Sequence, residues 1–275
     1  MNFKIVTAFD EKTFKQNGFK LLESFKNNWH PDFEFHCYYH NMDISNYSMP
    51  QNKNIIYHKL EDIEEYADFV KNNQTHDGTE GGAVTYTNSL DGLSAAPKVF
   101  SISECAFENK DAWLLWLDPL SIVIKDIRLS TLKKYMPKKM SDFLCMEDAD
   151  YFAGFNLSKQ TAVDLLGDLR GAYVSGEYTN YREWTPTFIL SRLLTIYNAH
   201  GLKLHSSDSF KDLFLNLKDK ETLNIRDSAG NRVVALSETD TSPDILPNRY
   251  KQLADMIRFY KPTTILETGT WNGGR

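Results

Sequence analysis

Residues 111–127 read DAWLLWLDPLSIVIKDI, and this stretch decides the fold. The run from Trp113 to Leu117 is short and wholly apolar, which predicts a strand that is buried on both faces of a sheet. Asp118 follows this strand directly. Open α/β folds bind their ligands in the crevice at the carboxyl ends of the strands, so Asp118 is a candidate ligand-binding group.

The segments around this strand alternate between strand and helix patterns. FKIVTAF at 3–9 is short, apolar and β-branched, which predicts a strand, while Leu21, Phe25 and Trp29 recur at four-residue steps, as on one helix face. We therefore expect an α/β protein with a mixed, mostly parallel sheet. Further strands are predicted at 33–39, 54–58, 98–102, 143–146 and 151–156, and the apolar pattern continues at 122–124. Further helices are predicted at 129–136, 162–173 and 186–200.

Two polar stretches interrupt this alternation. Residues 72–96 are rich in Gly, Thr, Asn and Ser, which predicts a long loop, and loops of that length are usually functional or mobile. Residues 205–247 are polar and weakly periodic, with turn signals at 228–231 and 241–247. We predict a first domain at residues 1–210, a linker at 211–244 and the start of a second domain at 245–275.

Composition excludes several classes of protein. Hydrophobic residues make up 41% of the 275 residues and charged residues 25%, as in an ordinary globular protein. The net charge of −6, with no basic run, argues against nucleic-acid binding. Three dispersed cysteines predict neither a disulfide framework nor a zinc site. With no apolar stretch near the roughly 20 residues of a membrane span and no leader pattern, we expect a cytoplasmic protein.

The segment 111–127 resembles the DxD region of nucleotide-sugar glycosyltransferases of the type A fold, typically written WLDADTVVLKDI. The order of the preceding strands and helices agrees with that family. The late tract YFAGFNLSKQ...YVSGEYTNYREW, at 151–184, is similar to a tract of phage-type sugar transferases, GFxGYNL followed by Gly-Glu and Glu-Trp-His-Asp-Ser. The resemblance covers about residues 1–205 and implies a mixed sheet of the type A glycosyltransferase kind.

The resemblance also implies a substrate site. Its substrates would be a nucleotide sugar as donor and a glycan as acceptor. In the family, the paired acids of DxD hold a divalent metal such as manganese, which carries the donor diphosphate and offsets its charge. Asp118 would be the metal ligand here. The residues implied in nucleotide-sugar binding are Thr7, Ala8, Lys98 and Asp118.

Two departures from the family pattern weaken the predicted metal site. Leu120 stands where the second acid of DxD belongs, and Thr185 and Pro186 stand where the late motif has its His-Asp pair. One carboxylate is a weak site for a cation that prefers about six oxygens. Two hypotheses remain open: an active sugar transferase, or an inactive domain that binds a nucleotide or glycan and serves as partner of a methyltransferase.

Other groups with metal-ligand chemistry are better explained as structural features. Asp148-Ala149-Asp150 is a literal DxD, but it lies between two predicted strands, where a solvated turn is the simpler interpretation. His36 and His40 lie on one face of a predicted strand without an evident third ligand, which favours half-exposed strand histidines. We place no site at any of them.

The stretch TTILETGTWNGG at 263–274 carries a second motif. Glycines after a strand let the backbone approach a ligand closely. The pattern resembles motif I of class I S-adenosylmethionine-dependent methyltransferases, which implies S-adenosyl-L-methionine as cofactor and the first helix and strand of an incomplete Rossmann-like domain. The residues implied in cofactor binding are Glu267, Gly269, Gly273 and Gly274.

A complete cofactor-binding fold needs several more βα units, on the order of 100 residues. We therefore expect this sequence to be the front part of a longer two-domain protein. The 275-residue chain should not bind S-adenosylmethionine, whereas a chain extended to the natural stop codon should. In the extended chain, Gly269→Val should abolish binding because its side chain would occupy the ligand's place. Calorimetry checks both forms, and binding by the 275-residue chain would contradict this expectation.

Overall fold

The computed structural model describes residues 2–78, 90–123, 125–135, 143–145, 152–199, 204–206, 214–216, 223–226 and 232–235. The strands are β1 Asn2–Phe9, β2 Glu34–Tyr39, β3 Ile55–Lys59, β4 Ala112–Leu117, β5 Ser121–Val123, β6 Phe143–Cys145, β7 Phe152–Asn156, β8 Leu204–Ser206, β9 Phe214–Asn216, β10 Leu223–Arg226 and β11 Arg232–Ala235. The helices are α1 Glu11–Thr13, α2 Phe19–Asn28, α3 Glu64–Asn72, α4 Gly92–Glu108, α5 Leu129–Tyr135, α6 Gln160–Val174 and α7 Pro186–Ala199. Among the described helices, none has both the length and the apolar character needed to cross a membrane.

Seven strands form one sheet in the order β3-β2-β1-β4-β7-β6-β8. The pairs β3–β2, β2–β1, β1–β4 and β6–β8 are parallel, while β7 runs antiparallel to both of its neighbours. The predicted mixed, mostly parallel α/β sheet is therefore confirmed. The strand that ends before Asp118 is β4, which lies at the centre of the sheet, as its apolar sequence predicts.

Helices cover both faces of the sheet, and each face has its own apolar core. On one face, Ile5 and Leu115 pack with Leu21 and Phe25 of α2. On the other face, side chains of β1 and β4 pack with α4, α6 and α7. All six residues of β4 are buried, because successive side chains of a strand point to opposite faces and both faces are covered.

The region before β4 differs from the prediction. Residues 98–102 were predicted to form a strand and 92–96 the end of a loop, but α4 spans Gly92–Glu108. Asp91 caps this helix, because its Oδ1 accepts from the backbone N of Ser94 at 2.8 Å. The prediction was wrong because α4 is buried on most of its surface, so its β-branched and aromatic residues show no clear helical period. Residues 79–89 of the predicted loop lie outside the described residues.

His36 is less exposed than predicted, whereas His40 is half-buried, as predicted. His36 is 5% exposed, and its ring stacks on His58 of β3 at 5.3 Å between centroids. Lys4 and Glu34 form an ion pair beside it. Burial, with smaller effects of His58 and Lys4, lowers the pKa of His36 to about 4. The alternating pattern of β2 indicated one polar face, but α4 and its neighbours cover that face.

The chain divides into two compact units, Met1–Leu215 and Asn216–Arg275. The first contains the seven-stranded sheet. The second contains β10 and β11, which pair antiparallel. Three short strands, β9 to β11, thus lie within the segment 211–244 that we predicted as a linker, and the domain boundaries at 210 and 244 stay predictions.

Stability should depend on pH through His36. Its pKa is lowered on folding, so between pH 6.5 and about 4 the unfolded chain binds a proton that the folded chain does not. The free energy of unfolding should fall as the pH falls through this window, by on the order of 3 kcal/mol from this residue. His36→Gln should flatten that decrease in urea titrations across the pH range.

His30→Gln is the matched control, because the side chain of His30 is 43% exposed. The control variant should keep the wild-type dependence on pH. An equal slope for wild type and His36→Gln would contradict this origin of the acid sensitivity.

Candidate functional site at the carboxyl edge of the central strands

The first and fourth strands bring two predicted site residues to the same edge of the sheet. β1 and β4 are parallel, and Val6 pairs with Trp116 in their register. Ala8 lies two residues after Val6 and is still within β1. Asp118 lies two residues after Trp116, just past the end of β4. Asp118 is 6% exposed. The structure thus places Asp118 and Ala8 together at the carboxyl edge, where α/β sheets bind ligands.

Lys98 reaches the same edge from α4. Its Nζ lies 5.4 Å from the centroid of the Trp116 ring, a cation–π distance. Trp116 is two residues before Asp118, so this contact fixes the ammonium group near the end of β4. Lys98 is partly exposed. A positive charge at this position can interact with an anionic ligand at the edge.

Thr7 lies on the other face of the sheet. Val6 and Ala8 belong to the core beneath α4, whereas Ile5 and Phe9 belong to the core beneath α2. By strand alternation, the Thr7 side chain therefore faces α2. It is fully buried, and its Oγ1 has no hydrogen-bond partner among the described residues. The structure does not bring this side chain together with Lys98.

The turn after Asp118 is held by hydrogen bonds at both of its ends. Leu120 donates its backbone N–H to Asp118 Oδ1 at 2.8 Å, and Ser121 donates its backbone N–H to the Asp118 carbonyl at 2.9 Å. The Nδ2 group of Asn17 donates to the carbonyl oxygens of Pro119 at 3.0 Å and Ser121 at 3.1 Å. The turn is thereby tied to the segment that follows β1.

Asn17 was missed by the sequence analysis. It is 1% exposed and lies in a single π-helical turn, Phe14–Gly18, between α1 and α2. Such turns are rare and are frequent at functional sites. Its partners are more than one hundred residues away in the chain, so no local spacing in the sequence reveals its role. Only the fold brings the two segments together.

The described residues do not fit a divalent metal. One Asp118 oxygen already accepts a backbone hydrogen bond, and the side chain of Leu120 offers no ligand atom. Across the described ranges, no group of three or more His, Cys, Asp or Glu side chains could hold a metal ion. Hard cations take about six oxygen ligands. We therefore assign no chemical step to a metal at Asp118.

The remaining candidates lie elsewhere. Asp148 and Asp150, and the four residues predicted to bind S-adenosylmethionine, Glu267, Gly269, Gly273 and Gly274, lie outside the described residues. A surface depression lined by residues between Asp43 and Tyr57 includes none of Ala8, Lys98 and Asp118. The strand ends carry the polar chemistry, so we place the candidate site there rather than in the depression.

Comparison with known proteins gives structural similarity only. No family model matches the sequence, and no curated protein matches it. The apo structure of mouse xyloside xylosyltransferase 1 aligns over 76% of this chain and 86% of its own, with 11% identity and a TM-score of 0.45. The glycosyltransferase GlyE of Streptococcus pneumoniae aligns over 77% of this chain and 46% of its own, with 10% identity and a TM-score of 0.44.

A third similar structure is the galactosyltransferase LgtC in complex with donor and acceptor sugar analogs. It aligns over 75% of this chain and 73% of its own, with 16% identity and a TM-score of 0.41. All three TM-scores are below 0.5. The fold is therefore defined by the strand order and strand directions of this chain, and the candidate site by the residues at its carboxyl edge.

Manganese should bind weakly or not at all in the absence of a nucleotide sugar. The reason is the single carboxylate of Asp118, one oxygen of which is engaged by the backbone of Leu120. Isothermal titration calorimetry with manganese chloride checks this. Micromolar binding that disappears in Asp118→Ala, but persists when the exposed Asp126 is replaced by alanine, would contradict it.

Proposed function

We propose that the first unit is a nucleotide-sugar-dependent glycosyltransferase domain of the type A kind. The observation that carries this proposal is the position of Asp118, directly after the central strand and at the same edge as the end of β1. The resemblance of residues 111–127 to the DxD region supports the same function. The donor is a nucleotide sugar, and the acceptor is a glycan.

The residues at this edge suit a diphosphate donor. Lys98 places a positive charge near Asp118 by packing over Trp116, and a cation there offsets the negative charge that develops on a departing diphosphate. Ala8, at the end of β1, lies at the same edge of the sheet as Asp118. Asp118, held in its turn, offers an acceptor for hydroxyl groups of the donor.

The second candidate function is binding without transfer. It is favoured by one observation, the use of an Asp118 oxygen by the backbone of Leu120, where the family pattern has a second acid. A domain of this kind keeps the nucleotide or glycan site and acts as the partner of a methyltransferase. The two functions share the donor site and differ in whether sugar is transferred.

The methyltransferase is the second part of the proposal. It is supported by the resemblance of residues 263–274 to motif I, and by the helix pattern in the residues before it. A methyltransferase joined to a sugar transferase would act on the same glycan or sugar-modified surface. Binding of S-adenosylmethionine by the extended chain, described above, tests this part independently.

Calorimetry with uridine diphosphate glucose and uridine diphosphate galactose tests the donor site. Lys98→Met keeps a side chain to pack over Trp116 but removes the charge, and Asp118→Asn keeps the acceptor for the Leu120 N–H but removes the charge. Each variant should weaken donor binding about tenfold, as loss of a charge-assisted contact predicts. Lys110→Met, at an exposed position just before β4, should bind as the wild type does.

A second readout separates the two candidate functions. Release of uridine diphosphate together with sugar transfer to a glycan supports the transferase, and donor binding without turnover supports the binding domain. The donor site itself is contradicted if no nucleotide sugar binds, or if Lys98→Met and Asp118→Asn bind like the control.

A further inference from the structure

A histidine for which the sequence predicts no role lies beside the first turn of α4. His76 donates its backbone N–H to the Asn73 carbonyl at 2.9 Å and accepts at its own carbonyl from the Leu93 N–H at 3.1 Å. α4 ends just before β4 begins, and its Lys98 packs near the end of β4. Its first turn therefore lies at the carboxyl edge of the sheet, and His76 lies at this edge with it.

The hydrogen bonds around His76 fix which ring nitrogen carries the proton. The Nδ2 group of Asn73 donates to the Phe69 carbonyl at 2.8 Å, which orients the amide. Its Oδ1 then accepts from the hydroxyl of Tyr178 at 3.2 Å. Burial raises the pKa of Tyr178 to about 12, so this hydroxyl keeps its single proton at neutral pH.

Because Tyr178 uses that proton on Asn73, its oxygen can only accept from the hydrogen-bonded Nδ1 of His76. Nδ1 of a neutral His76 therefore carries the proton, and Nε2 carries a lone pair. Among the described residues, Nε2 has no hydrogen-bond partner. The side chain is partly exposed. The arrangement holds a hydrogen-bond acceptor ready at the carboxyl edge.

Trp184 packs beside the ring of His76. Its ring lies 4.9 Å from the ring of His76 between centroids and meets Tyr178 edge-on at 5.5 Å. The hydroxyl of Tyr173 donates to the Trp184 carbonyl and fixes its backbone. Trp184 is partly exposed. An indole beside a hydrogen-bond acceptor suits a pyranose, which has apolar C–H faces and hydroxyl groups around its rim.

The packing of Tyr178 holds the cluster of His76, Tyr178 and Trp184 in place. A Cβ placed on Gly92 would lie 2.8 Å from Cε2 of Tyr178, so the tyrosine ring rests directly on the backbone of the first turn of α4. The same ring stacks on Tyr173 at 4.8 Å. Residues from three distant parts of the chain are thereby held together, which preorganises a binding site.

We infer that His76 and Trp184 form a carbohydrate-binding site, in which Nε2 of His76 accepts a hydrogen bond from a sugar hydroxyl and the indole of Trp184 packs against the sugar ring. This inference deepens the proposed function and rests on it, because a glycan at this edge is the acceptor of the sugar that the donor site holds. Donor and acceptor sites would then lie at the two ends of the segment between Gly92 and Lys98.

Nuclear magnetic resonance of the histidine and tryptophan side chains tests this site on the full chain. The nitrogen shifts of His76 should report a proton on Nδ1. Tyr178→Phe keeps the ring but removes the hydroxyl, and should release His76 from that tautomer. Titration with methyl β-galactoside and methyl α-glucoside should shift the His76 and Trp184 signals together with at least one of the two sugars.

Two variants and a control measure how much His76 and Trp184 contribute to glycoside affinity. His76→Phe keeps an aromatic ring against Trp184 but removes both nitrogens, and should weaken glycoside binding about tenfold, as loss of one hydrogen bond predicts. Trp184→Ala should weaken it at least as much. His30→Phe replaces an exposed histidine that lies outside this cluster and should leave binding unchanged.

Any one of four results overturns the inference. Two are spectroscopic: a proton on Nε2 of His76, or glycoside binding that leaves the His76 signals unmoved. Two concern affinity: unaltered glycoside binding by His76→Phe, or no binding of either glycoside. These outcomes are separable from failure of the proposed function. Uridine diphosphate sugars are titrated in parallel, and their binding depends on Lys98 and Asp118 rather than on His76. Loss of donor binding in every form counts against the transferase; loss of glycoside binding alone counts against this site.

Discussion

The parallel pairing of β1 with β4 is the constraint on which the rest of the structure depends. These two strands are far apart in sequence, and their register brings Ala8 and Asp118 to one edge of the sheet. Because both strands are buried on two faces, neither can shift by one residue without moving its apolar side chains to the wrong core. The site at the strand ends is therefore fixed by hydrophobic packing that lies outside the site itself.

Much of this architecture could be predicted from the sequence, because the strands are short and apolar and the helices carry clear stripes. The segment before Asp118 was correctly predicted as a central strand, since a short run of six consecutive apolar residues is typical of a strand that is buried on both faces. The apolar pattern gave a wrong prediction at 98–102, because this stretch is equally buried but belongs to a helix. In α4, buried residues, including polar ones such as Ser101 and Ser103, lie on most faces, and Pro97 lies inside the helix, so neither period nor composition indicated its true conformation.

The polar details of the candidate site could be predicted only in part. Asp118 was found because it follows an apolar strand, a feature that is local in sequence. Asn17 and His76 were missed because their roles depend on partners about one hundred residues away, at Pro119 and Tyr178. Hydrogen bonds between such distant residues leave no spacing that a sequence pattern can show. The missing second acid at Leu120 was visible from sequence, and the structure adds that the backbone N–H of this residue engages the Asp118 carboxylate.

The central claim is that a nucleotide sugar binds at the carboxyl edge of β1 and β4. A crystal structure of the full chain grown with uridine diphosphate glucose or galactose tests it most directly. The account predicts electron density for the nucleotide diphosphate beside Ala8 and Asp118, with its phosphates within reach of Lys98. Density for the nucleotide in the depression between Asp43 and Tyr57, with the strand ends empty, would contradict the account.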